Sequence, residues 1–283
     1  MMFAADLFKP FEFEFFRNGV IVATLAGALC GVVGCYVVLR NMSYIGHGLS
    51  HAIFGGYAVA GLIGINLFLG AGAWGVITAL AIGGIVRRRP IGSDAAIGVV
   101  TTASFALGLA LVQLYGSPGQ NADALLFGNV LGVTFADVWL IVAVSIGAAL
   151  FIGFGYRQLL FTTFDIEVAK ATGVRTGLVD GLLMVLLSAT VLATMNVMGV
   201  TLIAANLVVP AVVARMLTDS FGRMLGYAGL IGAVSGFVGM NASYHLDVAS
   251  GPTIVLTAAT FFILAFVAGG SLRRRAATVG HAH

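Results

Sequence analysis

The sequence predicts an all-α fold, a polytopic membrane helix bundle of eight or nine transmembrane helices. Three observations predict it. The 283-residue chain is 60% hydrophobic and only 9% charged. A soluble domain carries about 25% charged residues, so polar side chains here are too few to cover a water-facing surface. Mean hydropathy is +1.06, and the apolar residues come in runs near the ~20 residues that a spanning helix needs, without the two-residue alternation of membrane strands. The 39 glycines fit membrane helices, whose backbones they let approach closely.

Taken in order, residues 1–18 read as an N-terminal interfacial segment containing FEFEFF. They lack the basic stretch, apolar core and small-residue cleavage site of a secretory signal. Apolar runs then predict spans at 19–39, 51–69, 74–86 (short), 97–115, 136–156, 177–194, 197–217, 224–240 and 253–270. Together 19–270 make one integral domain, followed by a basic, His-containing tail at 271–283. That tail ends in His281 and His283 and reads as an exposed, adventitious metal binder.

Basic residues set the orientation, because cytoplasmic loops carry the excess of Lys and Arg. Arg87, Arg88 and Arg89 mark one cytoplasmic loop, and Arg157, Lys170 and Arg175 a second. Arg215 and Arg223 mark a third, and Arg273, Arg274 and Arg275 a cytoplasmic C-terminus. The segments near 116–135 and 241–252 lack Lys and Arg and face outward. Strict counting puts Arg40 inside and gives nine spans. An interfacial Arg17 at the cytoplasmic side, with one re-entrant front segment, gives eight. The net charge of +3 comes from these loop clusters and does not indicate nucleic acid. Cys30 and Cys35 lie five apart in one apolar run, point to different sides of a helix, and read as packing residues.

Four stretches carry the functional reading. In SYIGHGLSHA, His47 and His51 stand four residues apart. On a helix they share a face, with Cβ atoms about 5–6 Å apart, and can offer two nitrogens to one divalent ion. The competing reading is two imidazoles hydrogen-bonded to carbonyls as interhelical glue. In NASYHLDVASGPTIVL, Asp247 at the outer end of a span could receive a cation, or could cap the turn before Pro252. Asp123 is the other acidic residue placed in an outer loop. In LIAANLVVPAVVARML, Pro210 bends a helix one turn after Asn206. In FTTFDIEVAKATGVRTG, Thr163 can cap a short helix with Asp165 and Glu167 early and Lys170 late, the order favoured by the helix dipole. Gly173 then ends it. Such a helix suits docking onto another protein, or is a solvated connector.

The stretch VVLRNMSYIGHGLSHAIFGG resembles the signature of metal-ion permeases of ATP-binding-cassette importers, the zinc/manganese/iron class. Arg40, Met42, Ser43, Gly46, Ser50, His51, Ala52 and Gly56 match its pattern. FDIEVAKATGV, LIAANLVVPAVVARML and GMNASYHLDVASGPTIVL resemble later blocks of the family, in the same order, across nearly all of 17–270. The resemblance implies a transmembrane permease domain over 19–270, paired as a homodimer. It implies a cytoplasmic ATP-binding-cassette ATPase dimer touching Asp165, Glu167 and Gly173, and an extracytoplasmic metal-binding protein. It implies a place in the plasma membrane, the inner membrane of a bacterium, and a metal that is cargo, with no permanently bound cofactor. Where the family has an aspartate four residues before its histidine, this chain has His47. Two nitrogens in place of an oxygen–nitrogen pair favour zinc, with manganese next. Protonation of both imidazoles near pH 6 would weaken transport.

The chain is not expected to be an enzyme, since no GxxxxGK[ST] loop occurs and ATP hydrolysis must lie on the partner. Two rival functions are a permease for a metal chelate such as a siderophore or haem, and an ATP-independent secondary metal transporter. The first would need a wide vestibule. The second usually carries an acidic residue well inside a span, and after residue 100 Asp137 and Asp180 lie near span ends.

Overall fold

A computed structural model describes residues 9–88, 92–115 and 132–279. All its regular structure is helical. A 3₁₀ turn at Lys9–Glu12 leads into α1 (Glu14–Leu39), followed by α2 (Ile45–Ile63), α3 (Leu67–Arg88), α4 (Ser93–Tyr115) and α5 (Phe135–Phe164). Then come the short α6 (Ile166–Ala171), α7 (Thr176–Met198), α8 (Ile203–Leu217), α9 (Phe221–Leu246) and α10 (Ser250–Val279). Among the described residues, 7 helices are long and apolar enough to cross a membrane. The shorter α8 and the histidine-bearing α2 account for the other two predicted spans. Asp123, Arg89, His281 and His283 lie outside the described residues.

Every predicted span has a helix, but several limits move. The expected spans 51–69 and 74–86 are divided between Ile63 and Leu67 instead. Gly64 takes the left-handed conformation, φ 73°, and its N–H reaches the Ala60 carbonyl, closing α2. The Asn66 side chain accepts from the N–H groups of Phe68 and Leu69 at 3.0 and 3.1 Å and opens α3. Both histidines therefore lie inside α2. The span expected over 136–156 continues as α5 to Phe164, so Thr163 is helical and does not cap the next helix. The cap is Asp165, whose Oδ1 accepts from the N–H groups of Glu167 and Val168, both at 3.0 Å. The span expected over 197–217 begins at Ile203, because Gly199 at φ 76° ends α7 first. Beyond residue 270, where a tail was expected, α10 remains helical to Val279.

The helices pack in two groups. The deeply buried α1 lies against α8 and α9, with α10 behind them; α2 lies against α3 and α4; α7 touches both groups. Small residues set the spacing. Ala23, Gly27 and Gly31 of α1 meet Gly236, Gly232 and Ala228 of α9 backbone to backbone. In the second group a Cβ on Gly48 would come within 2.6 Å of the Thr101 hydroxyl, and one on Gly108 equally close to Gly55. The break between α7 and α8 leaves carbonyls without helical partners, which is tolerated at membrane depth only if other groups satisfy them. Ser50 of α2 lies 2.8 Å from the Val200 carbonyl, and Ser250 of α10 lies 2.7 Å from that of Val197. Asn196 donates to Asp137 of α5 at 2.8 Å. Three helices thus pin one turn.

Candidate metal-transport site

The chain leaves α1 at Arg40, turns through Asn41 at φ 54°, and enters α2 within five residues. That places His47 in the first turn of α2 and His51 one turn later. Their rings lie 4.5 Å apart between centroids and nearly perpendicular, at 81°. Phe105 of α4 packs edge-on against His51 at 5.2 Å. His47 is exposed and His51 half-buried. The His51 Nδ1 is buried and has no hydrogen-bond partner among the described residues. A buried ring nitrogen without a partner is costly, and this one makes no interhelical hydrogen bond among the described residues. Between the two rings, Ser50 is fully buried and its hydroxyl faces the carbonyls of His47 and Val200 at 2.8 Å each. It fixes the rotation of α2 and keeps both imidazoles on one side.

The pair alone is half a coordination sphere. Among the described residues no group of three or more His, Cys, Asp or Glu could hold a metal ion. Asp247 does not join the histidines. It ends α9 in the left-handed conformation, φ 52°, exposed, with its N–H on the Ser243 carbonyl. That is the turn-forming reading of this residue. Neighbouring Tyr244 packs against Phe16 at the start of α1, with centroids 5.1 Å apart, so Asp247 lies at the end of α1 opposite Arg40.

The Arg40 end carries α6. Asp165 caps it, Glu167 and Lys170 pair across its surface at 3.1 Å, and Gly173 follows at φ 78°. Ile166 and Val168 of this helix are exposed apolar side chains. Two clusters escaped the sequence reading because their partners are distant in the chain. Asp137 is buried at the start of α5, where it accepts from the Thr134 backbone N–H at 2.8 Å as well as from Asn196. Arg40 ties α1 to Thr162, Thr163 and Asp180.

The family model of the ABC 3 transport family matches residues 12–269. This chain belongs to that family. It is similar to the manganese transport system membrane protein MntC of Halalkalibacterium halodurans, with 40% identity over 255 residues, 90% of this chain and 87% of the relative. It is also similar to the manganese import system permease protein ScaB of Streptococcus parasanguinis, with 36% identity over 255 residues, 90% of this chain and 91% of that protein. Among solved structures, PsaBC from Streptococcus pneumoniae in complex with Fab matches with a TM-score of 0.82 and 35% identity, covering 93% of this chain and 95% of that one. Membership of the family makes the chain a multi-pass membrane permease subunit, with ATP hydrolysis on a separate subunit.

Proposed function

We propose that the chain is the membrane-spanning subunit of an ATP-driven importer of divalent transition metal, with manganese as its cargo. One observation carries the site: two imidazoles one helical turn apart, face to edge at 4.5 Å, with the buried Nδ1 of His51 unpartnered among the described residues. His47 and His51 are the transient ligands. A second copy brings a second pair and completes the coordination.

Manganese replaces the zinc preference that imidazole chemistry suggested. The relatives' names, MntC and ScaB, are those of manganese systems. Imidazole ligands alone do not set the metal, because site geometry and metal availability select it as well.

The exposed apolar face of α6 docks the ATPase, with Asp165 and Glu167 at its start and Gly173 reversing the chain behind it. Basic residues put this face in the cytoplasm. The Asp247 face then turns outward, toward an extracytoplasmic binding protein, and the membrane is the bacterial inner membrane.

Proteoliposomes holding the chain and its ATPase test the reading. Uptake of manganese is expected to need ATP and to be competed by free divalent metals. It should fall as the pH is lowered from about 7.5 to 5.5, because protonated imidazole cannot ligate. Flux without ATP, competition only by chelates, or a flat pH profile would count against it.

Docking gives a second expectation. Asp165→Ala removes an N-cap worth about 1 kcal/mol to a helix. It should lower ATPase co-purification and uptake together while metal binding stays intact. Asp165→Asn, which still caps, should behave as wild type. Equal losses for both variants would show that the carboxylate charge matters and the cap does not.

A further inference from the structure

We infer that Arg40 is a positioning residue that transmits movement of α6 to the histidine pair. The inference rests on the reading of α6 as the ATPase dock and of His47 and His51 as the transport site.

Each nitrogen of the guanidinium donates to a group that brackets α6. Nε donates to the Thr163 hydroxyl at 3.1 Å and Nη2 to the Thr162 hydroxyl at 2.8 Å. Nη1 donates to Asp180 Oδ1 at 2.7 Å. Thr162 and Thr163 form the last turn of α5, directly before the Asp165 cap. Asp180 lies in the second turn of α7, just after the loop that follows α6. The two side chains of the ion pair are only 11% and 16% exposed. A planar, rigid fork holds three acceptors in one geometry in a way that a lysine ammonium cannot.

On its other side Arg40 is the C-cap of α1 and the first residue of the reversal into α2. Asn41 follows in the left-handed conformation and gives its carbonyl to Ser93 at the start of α4, 3.2 Å away. His47 comes seven residues after Arg40. A push on α6 therefore moves the α5 end and the α7 start, which share the Arg40 fork. The fork passes the displacement to the turn from which α2, carrying both imidazoles, begins. Stability alone does not explain such a pair, since a mostly buried ion pair often contributes little beyond what an apolar replacement would.

Arg40→Lys keeps the charge and loses the fork; Asp180→Asn keeps the shape and loses the charge. Both are reconstituted with the ATPase, and four quantities are read: ATP hydrolysis, manganese uptake per ATP, manganese binding, and melting temperature. Uptake per ATP is expected to fall by about tenfold, with hydrolysis continuing and manganese binding within about twofold of wild type. Should either variant fail to fold, Thr163→Val removes one acceptor at unchanged shape and carries the same expectation in smaller measure. Wild-type uptake per ATP in these variants overturns the inference. So does a loss of uptake matched by equal losses of metal binding and folded protein, which marks a structural role. His51→Ala separates this from the functional reading, because it must lose binding itself. A wild-type complex that pumps while the Arg40 variants pump equally well sinks only the transmission role.

Discussion

His51→Ala is expected to abolish manganese uptake while the complex with the ATPase still assembles. His51 supplies one of the two nitrogens that each chain offers, and no third His, Cys, Asp or Glu gathers near the pair among the described residues to replace it. Losing even an outer partner of a metal ligand costs about 10–100-fold in affinity; losing the ligand itself should exceed the upper figure. The fold should tolerate the change. The ring is half-buried and its contacts are edge-on, to His47 and Phe105, and its Nδ1 makes no hydrogen bond that would be lost. A melting temperature near wild type with no measurable uptake is the expected pair of results. His47→Asp adds a second arm: it recreates the oxygen–nitrogen pair that the metal-importer resemblance implies, so ATP-driven manganese uptake should persist. Uptake at wild-type rate in His51→Ala would remove the histidine pair from the transport path.

The histidine pair was legible because helical spacing alone puts residues four apart on one face. What the sequence could not supply was the company the pair keeps. Phe105 against His51, and Val200 against Ser50, are contacts between helices, and nothing local encodes them. The spans were legible from hydropathy, but hydropathy does not register where a backbone turns. The α2–α3 boundary depends on Gly64 and Asn66, two small residues inside a continuous apolar stretch, and cap chemistry was the signal that could have found it. The same chemistry separates Asp165, which caps α6, from Thr163, which lies in α5. The pairings of Asp180 and Asn196 were not legible, because their partners, Arg40 and Asp137, stand 140 and 59 positions away. Asp247 left two readings open in the sequence, and the backbone adds that it takes the left-handed turn that ends α9.

Gly27→Val is expected to have the largest effect on stability. A Cβ at Gly27 would run into the carbonyl of Gly232, and one at Gly232 would run into the carbonyl of Gly27. Both obstacles are main chain within helices, so no rotamer change relieves them, and α1 and α9 must separate along the whole seam from Ala23 to Gly31. Overpacking a core ordinarily costs about 1–3 kcal/mol; a collision of two backbones should sit at or above the top of that range. Association of membrane helices depends on close packing, because lipid offers them no hydrophobic drive to associate. Separation of α1 from α9 therefore removes the largest single packing surface that holds α1 in place. Gly226 supplies the control. It lies on another face of α9 with open space around its Cβ position, and Gly226→Ala should be neutral or stabilising by up to about 1 kcal/mol through helix propensity. Thermal melting in detergent, followed by loss of the monodisperse species, reads both. Equal melting temperatures for Gly27→Val and wild type would mean that the seam can open at no cost.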